Sequence, residues 1–69
     1  MPLIYATPGE VNVVKRILGT RDERSQLEDM GFTPGALVTL VTSSGGDVIV
    51  CVKESRVAIS REAAERILI

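Results

Sequence analysis

The chain predicts a mainly β fold, a small closed barrel of about five short strands with one or two short helices. Three observations carry that prediction. Short apolar runs rich in Val and Ile recur between Gly- and Pro-containing corners. A length of 69 residues is too small for a sandwich of two sheets. Closing the sheet on itself is the economical way to protect edge strands in so small a domain. Residues 1–69 are therefore read as one domain.

Thr7-Pro8-Gly9-Glu10 has the chemistry of a type II turn, in which Pro presets φ at the second position and Gly supplies a positive φ at the third. Val11 to Leu18 is rich in β-branched residues and reads as one strand ended by Gly19-Thr20. Its imperfect alternation fits a curved strand with packing on both faces. Arg21 to Arg24 reads as a charged connection. Ser25 to Met30 then reads as a short helix with Leu27 and Met30 on one face. Gly31 stands where a helix commonly needs a left-handed residue after its end, and Phe32 where an apolar side chain folds back on the last turn. Thr33-Pro34-Gly35-Ala36 repeats the chemistry of the first corner and again launches a strand.

Leu37 to Thr42 alternates, with Val38 and Leu40 on one face and Leu37, Thr39 and Val41 on the other. Ser43 to Asp47 reads as a hairpin loop and Val48 to Val52 as the return strand. Lys53-Glu54-Ser55 turns the chain into a short strand over Arg56 to Ile59. Ser60 is a good N-cap for a helix over Arg61 to Leu68, with Glu62 near its positive end. Ile67 to Ile69 can instead leave that helix as a last short strand. An SH3-like barrel fits these elements best; an OB-like barrel comes second, because the chain is short for it.

Bulk properties narrow the function. Apolar residues make up 45% of the chain, as in a folded domain, yet Tyr5 and Phe32 are its only aromatics. The core must therefore be aliphatic, and a chain of this size buries only about 60% of its unfolded surface. Eight basic and nine acidic residues leave a net charge of −1, which argues against a duplex-binding protein. A single-strand binder needs a basic face with exposed aromatics, and neither Tyr5 nor Phe32 neighbours a Lys/Arg run. One cysteine fits a reducing compartment. The N-terminus lacks the basic flank and long apolar run of a signal peptide, and no apolar stretch approaches the ~20 residues of a membrane span. A cytoplasmic location is expected, with contact to a membrane only through a partner.

No residue set supports catalysis. Ser25, Ser60 and Thr20 have no His anywhere in the chain to activate them. The Ser-Ser-Gly-Gly loop is followed by a strand and not by the helix that a phosphate loop requires. Asp22-Glu23 and Glu28-Asp29 are the only acidic pairs of interest, and without His a transition-metal site is not expected from them. Cys51 sits among Val and Ile and reads as an inert apolar residue. What remains is the corner over Leu27 to Val38. Gly31, Pro34 and Gly35 are backbone devices that build it. Leu27, Met30 and Phe32 are the candidate partner-binding side chains, although all three could simply plug one end of the barrel. Arg24 and Arg56 are the candidate charged contacts, against the alternative of solvation or ion pairing with Glu23 or Glu28. Such a corner would serve weak self-association as well as a foreign partner.

These residues resemble the FeoA family, a small cytoplasmic component of bacterial ferrous iron transport. The resemblance rests on Pro2-Leu3, Ala6, Gly9-Glu10 and the Val14, Ile17, Gly19 spacing; on Leu27, Gly31-Phe32, Pro34-Gly35 and Val38; and on Arg56, Ala58, Ser60, Ala64, Ile67 and Ile69. Two positions depart from the family habit, Glu54 in place of Gly and Ile59 in place of Leu. The resemblance implies an SH3-like fold, no enzymatic activity, no cofactor and docking on the cytoplasmic G-protein region of a FeoB-type membrane transporter. Arg24 and Arg56 would then meet acidic groups of that region. The domain is also similar to the C-terminal module of metal-dependent repressors, which makes a regulatory interaction module the alternative. A nucleic-acid-binding barrel and an Fe(II) chaperone are the remaining rivals.

Overall fold

Gly9 adopts φ +86° and the Glu10 amide donates to the Thr7 carbonyl at 3.1 Å, so the first Pro-Gly corner closes as its chemistry predicts. The second corner does the same, with Gly35 at φ +91° and the Ala36 amide 2.9 Å from the Thr33 carbonyl. The computed structural model describes residues 1–43 and 45–69. The expected hairpin loop over 43–47 therefore lies partly outside the described residues, at Ser44.

The strand expected over 11–18 is two strands, β1 (Val11–Val13) and β2 (Arg16–Ile17). The break has a clear cause. Val14 turns inward and exchanges hydrogen bonds with the second corner, accepting from the Gly35 amide at 2.8 Å and donating to the Ala36 carbonyl at 2.9 Å. One residue later, the Lys15 amide donates to the Leu68 carbonyl at 2.7 Å. The chain thus changes sheets between Val14 and Lys15.

The first helix, α1, spans Arg21–Asp29 and is longer than expected. Its first turn is the stretch read as a charged connection. The Thr20 hydroxyl accepts from the Glu23 amide at 3.2 Å, and the Glu23 carboxylate accepts from the Thr20 amide at 2.9 Å. This capping box satisfies two amides that would otherwise lack partners and lets a polar segment start a helix.

Strands β3 (Leu37–Thr42), β4 (Val48–Val52) and β5 (Ser55–Ile59) follow, and with β1 they form an antiparallel sheet in the order β1-β3-β4-β5. Val38 and Leu40 of β3 face the core, as the alternation predicts. Helix α2 (Arg61–Arg66) is capped by the Ser60 hydroxyl, which accepts from the Ala63 amide at 3.1 Å. It ends early, and Ile67–Leu68 leaves as β6 to pair with β2 in a second small sheet. Pro2 bridges to Leu68, the Ile69 amide donates to the Met1 carbonyl at 2.7 Å, and the Met1 amino group donates to Ile69 at 2.9 Å. A 3-10 turn at Leu3–Tyr5, which the sequence reading lacked, packs Leu3 and Ile4 against α2.

The core between the sheets is aliphatic around one aromatic ring: Phe32, Leu3, Leu40, Ile67 and the inward Val residues of β3 and β4. The architecture is the small mainly β barrel of the SH3-like class.

Candidate docking surface

The corner after α1 is built by backbone hydrogen bonds. The Gly31 amide donates to the Glu28 carbonyl at 2.9 Å and the Phe32 amide reaches back to the Leu27 carbonyl at 3.0 Å, the paired bonds of a Schellman motif. Gly31 sits at φ +109°, where a side chain would be strained. The motif brings together an apolar residue on the last turn, Leu27, and one just past the helix, Phe32. Both turn inward: Phe32 is 0% exposed and Leu27 4%.

That burial corrects the expected three-residue anchor. Leu27, the buried residue of α1, and Phe32 both belong to the hydrophobic core. Only Met30, 39% exposed, remains at the surface. Gly31, Pro34 and Gly35 hold the corner in the conformation their types favour. Arg24 and Arg56 are both exposed on separate elements, α1 and β5. Glu23, one candidate ion-pair partner for Arg24, instead faces Arg66, with 3.9 Å between their charged atoms. The Thr20 amide, then its hydroxyl, then the charge on Arg66 hold the Glu23 carboxyl below its ordinary value of 4.5.

A larger apolar surface lies where the sequence reading placed packing. Val11 and Val13 of β1 point to the outer face of the sheet, and Val13 pairs with Leu37 of β3. Val11 and Leu37 are each 61% exposed. Across the ladder, Val11 is followed in one row by Thr39, Cys51 and Arg56. Val11, Leu37, Thr39, the half-buried free Cys51, Lys53 and Glu54 line an open groove. The Lys53 stem passes over Gly31, its Cδ only 3.3 Å from where a β-carbon would stand. Lys53 thus lies both at the groove and over Gly31, next in sequence to Met30. The signal for this surface was present in the sequence as the second face of an alternating strand, Leu37 and Thr39, but alternation alone does not say which face a partner element will cover.

Among the described residues, no three His, Cys, Asp or Glu side chains gather as a group able to hold a metal ion. No described helix is long and apolar enough to cross a membrane.

Residues 1–69 match the family profile of the FeoA domain. The chain belongs to the FeoA family. It is 32% identical over 68 residues to the Fe(2+) transport protein A assigned in Methanocaldococcus jannaschii, covering 99% of this chain and 83% of that one. Its fold superposes on a crystal structure of an iron uptake regulatory protein, also a FeoA, with a TM-score of 0.88 and 35% identity over 97% of this chain and 91% of the other. A zinc complex of the Stenotrophomonas maltophilia FeoA, an SH3-domain protein, gives a TM-score of 0.85 at 26% identity, covering 99% and 87% of the two chains. The likeness to a manganese-dependent transcriptional repressor, TM-score 0.84 at 17% identity, concerns the fold alone. This FeoA-family chain spans 39% of that repressor's length.

Proposed function

We propose that this FeoA-family chain is a non-catalytic accessory protein of ferrous iron transport that docks, on the cytoplasmic side, against the G-protein region of a FeoB-type transporter. The observation that carries this reading is the outer sheet face: Val11, Val13 and Leu37 expose apolar surface in adjoining register, and Lys53 beside it lies over Gly31, the neighbour of exposed Met30. Contiguous exposed apolar surface on a small domain marks contact sites more often than scattered single residues do. Lys53 and Arg56 flank that surface and supply charge for orientation. Docking acts on the transporter by favouring whichever conformation binds the domain better; equal affinity for both conformations shifts nothing.

The test is capture of the transporter's cytoplasmic region by wild type and by a Met30→Ala/Leu37→Asp double variant. Both positions are exposed, so the variant keeps its fold, verified by its unfolding midpoint, while capture falls at least about tenfold. Undiminished capture by the folded double variant removes this surface from the mechanism.

A further inference from the structure

Strand β5 is the open end of the four-stranded sheet, and its hairpin determines which of its backbone groups are unpaired. Lys53 and Glu54 are the only residues between the paired Val52 and Ser55, and both have positive φ, +49° and +63°. A two-residue turn of this kind is flanked by a pair that exchanges both backbone hydrogen bonds, and such pairs alternate along an antiparallel ladder. The ladder runs without a shift through Val50–Val57 to Val48–Ile59. Ser55, Val57 and Ile59 therefore direct their N–H and C=O groups to β4, and Arg56 and Ala58 direct theirs outward.

Natural edges are blunted by short length, by charged side chains, by Pro, by bulges or by a covering element. Among the described residues β5 has no Pro, no bulge against β4 and no element hydrogen-bonded beyond it, and Arg56 is its one charged residue. Its alternate residues are anchored: Ile59 is buried and Val57 packs partly on the core, so the outward groups of Arg56 and Ala58 are held in extended geometry. The opposite edge, β1, is only three residues long before the chain leaves for the second sheet.

We infer that β5 takes an extended segment of the docking partner as an added antiparallel strand, hydrogen-bonded to the N–H and C=O of Arg56 and Ala58, with a carboxylate side chain opposite Arg56. The inference rests on the docking reading above and specifies how the partner binds. Strand addition gives affinity through main-chain bonds and specificity through alternate side chains. Here the alternate positions are Arg56 and Ala58, both on the outer face with Cys51 and Ile49. Arg56 forms no hydrogen bond or ion pair among the described residues and offers its charge to an acidic group opposite. Ala58 is small and exposed, and leaves room for a larger apolar side chain across from it.

The discriminating variant is Ala58→Pro. It deletes one outward N–H and leaves every β5–β4 bond in place, the setting in which an edge strand tolerates Pro. Titration of the transporter's cytoplasmic region should show binding to wild type and to Ala58→Val, at least about tenfold weaker binding to Ala58→Pro, and weaker, less salt-sensitive binding to Arg56→Glu. As a measurement independent of variant folding, amide exchange at Arg56 and Ala58 in wild type should slow at least about tenfold in the complex. Binding of folded Ala58→Pro within twofold of wild type, or unchanged exchange at these two amides, overturns strand addition while the docking reading stands. No binding by wild type overturns both. Concentration-dependent dimerisation of the isolated domain that Ala58→Pro abolishes assigns the edge to a second copy and overturns the partner as its occupant.

Discussion

The Phe32 amide donates to the Leu27 carbonyl at 3.0 Å, and the same two residues bury their side chains inside the corner that this bond closes. The corner is thus a plug, with Met30 as its exposed rim. Phe32→Ala should cost about 3–5 kcal/mol, a loss comparable to the total stability of so small a domain. Met30→Ala should cost less than about 1 kcal/mol. Urea unfolding of the two variants measures the contrast, and similar midpoints would contradict the inward placement of Phe32.

Glu54 holds φ +63° at a turn position where glycine is free of strain. Glu54→Gly should stabilise the domain by about 0.5–1 kcal/mol, because removal of the β-carbon relieves a left-handed conformation that L-residues disfavour. A raised urea midpoint with an unchanged slope is the expected result. A lowered midpoint would mean that the Glu54 side chain contributes more than its backbone costs.

Glu23 links the start of α1 to Arg66, and its carboxyl is held below the ordinary 4.5 by Thr20 and Arg66. A depressed folded-state value means that the folded protein binds the proton less readily than the unfolded chain does. The stability it contributes is complete above 4.5 and is lost as pH falls through the lower, folded-state value. Glu23→Gln keeps an acceptor for the Thr20 amide but no titrating charge, so its unfolding midpoint should fall less between pH 5 and pH 3, two settings about a unit either side of the carboxylate range. Parallel pH profiles for variant and wild type would exclude this linkage.

Gly19 lies against the same cluster at φ +118°, and an added β-carbon would come within 2.8 Å of the Glu23 carboxylate. Gly19→Ala should destabilise by about 1–2 kcal/mol through left-handed strain and displacement of the cap. The amide of Thr20 should then exchange faster. Protection equal to wild type would show that the cap adapts.

The Pro-Gly corners, the alternation of β3 and the Ser60 cap were legible because each depends on chemistry within at most six consecutive residues. The capping box was equally local, as Thr20 and Glu23 three apart, but the charge of Arg21 to Arg24 obscured it. The break between Val14 and Lys15 was not legible in the same way: its causes, the Gly35-Ala36 corner and the Leu68 carbonyl, both lie far along the chain. The candidate surface divides along the same line. The backbone roles of Gly31, Pro34 and Gly35 follow from residue type, whereas the burial of Leu27 and Phe32 and the exposure of Val11 and Leu37 depend on which face the rest of the barrel covers.

The ladder that joins Met1 and Pro2 to Leu68 and Ile69, beside the pairing of Arg16 with Leu68, has a consequence for how this domain acquires its shape. Its second sheet forms only when Ile67 to Ile69 meet Arg16, Ile17 and the Met1-Pro2 segment, across some fifty or more residues of sequence. Contacts of such sequence separation slow folding relative to local ones. Until those pairings form, the four-stranded sheet stands without the second sheet that completes the barrel. Removal of residues 67–69 would therefore delete the whole second sheet and uncover the core beside it rather than trim an edge.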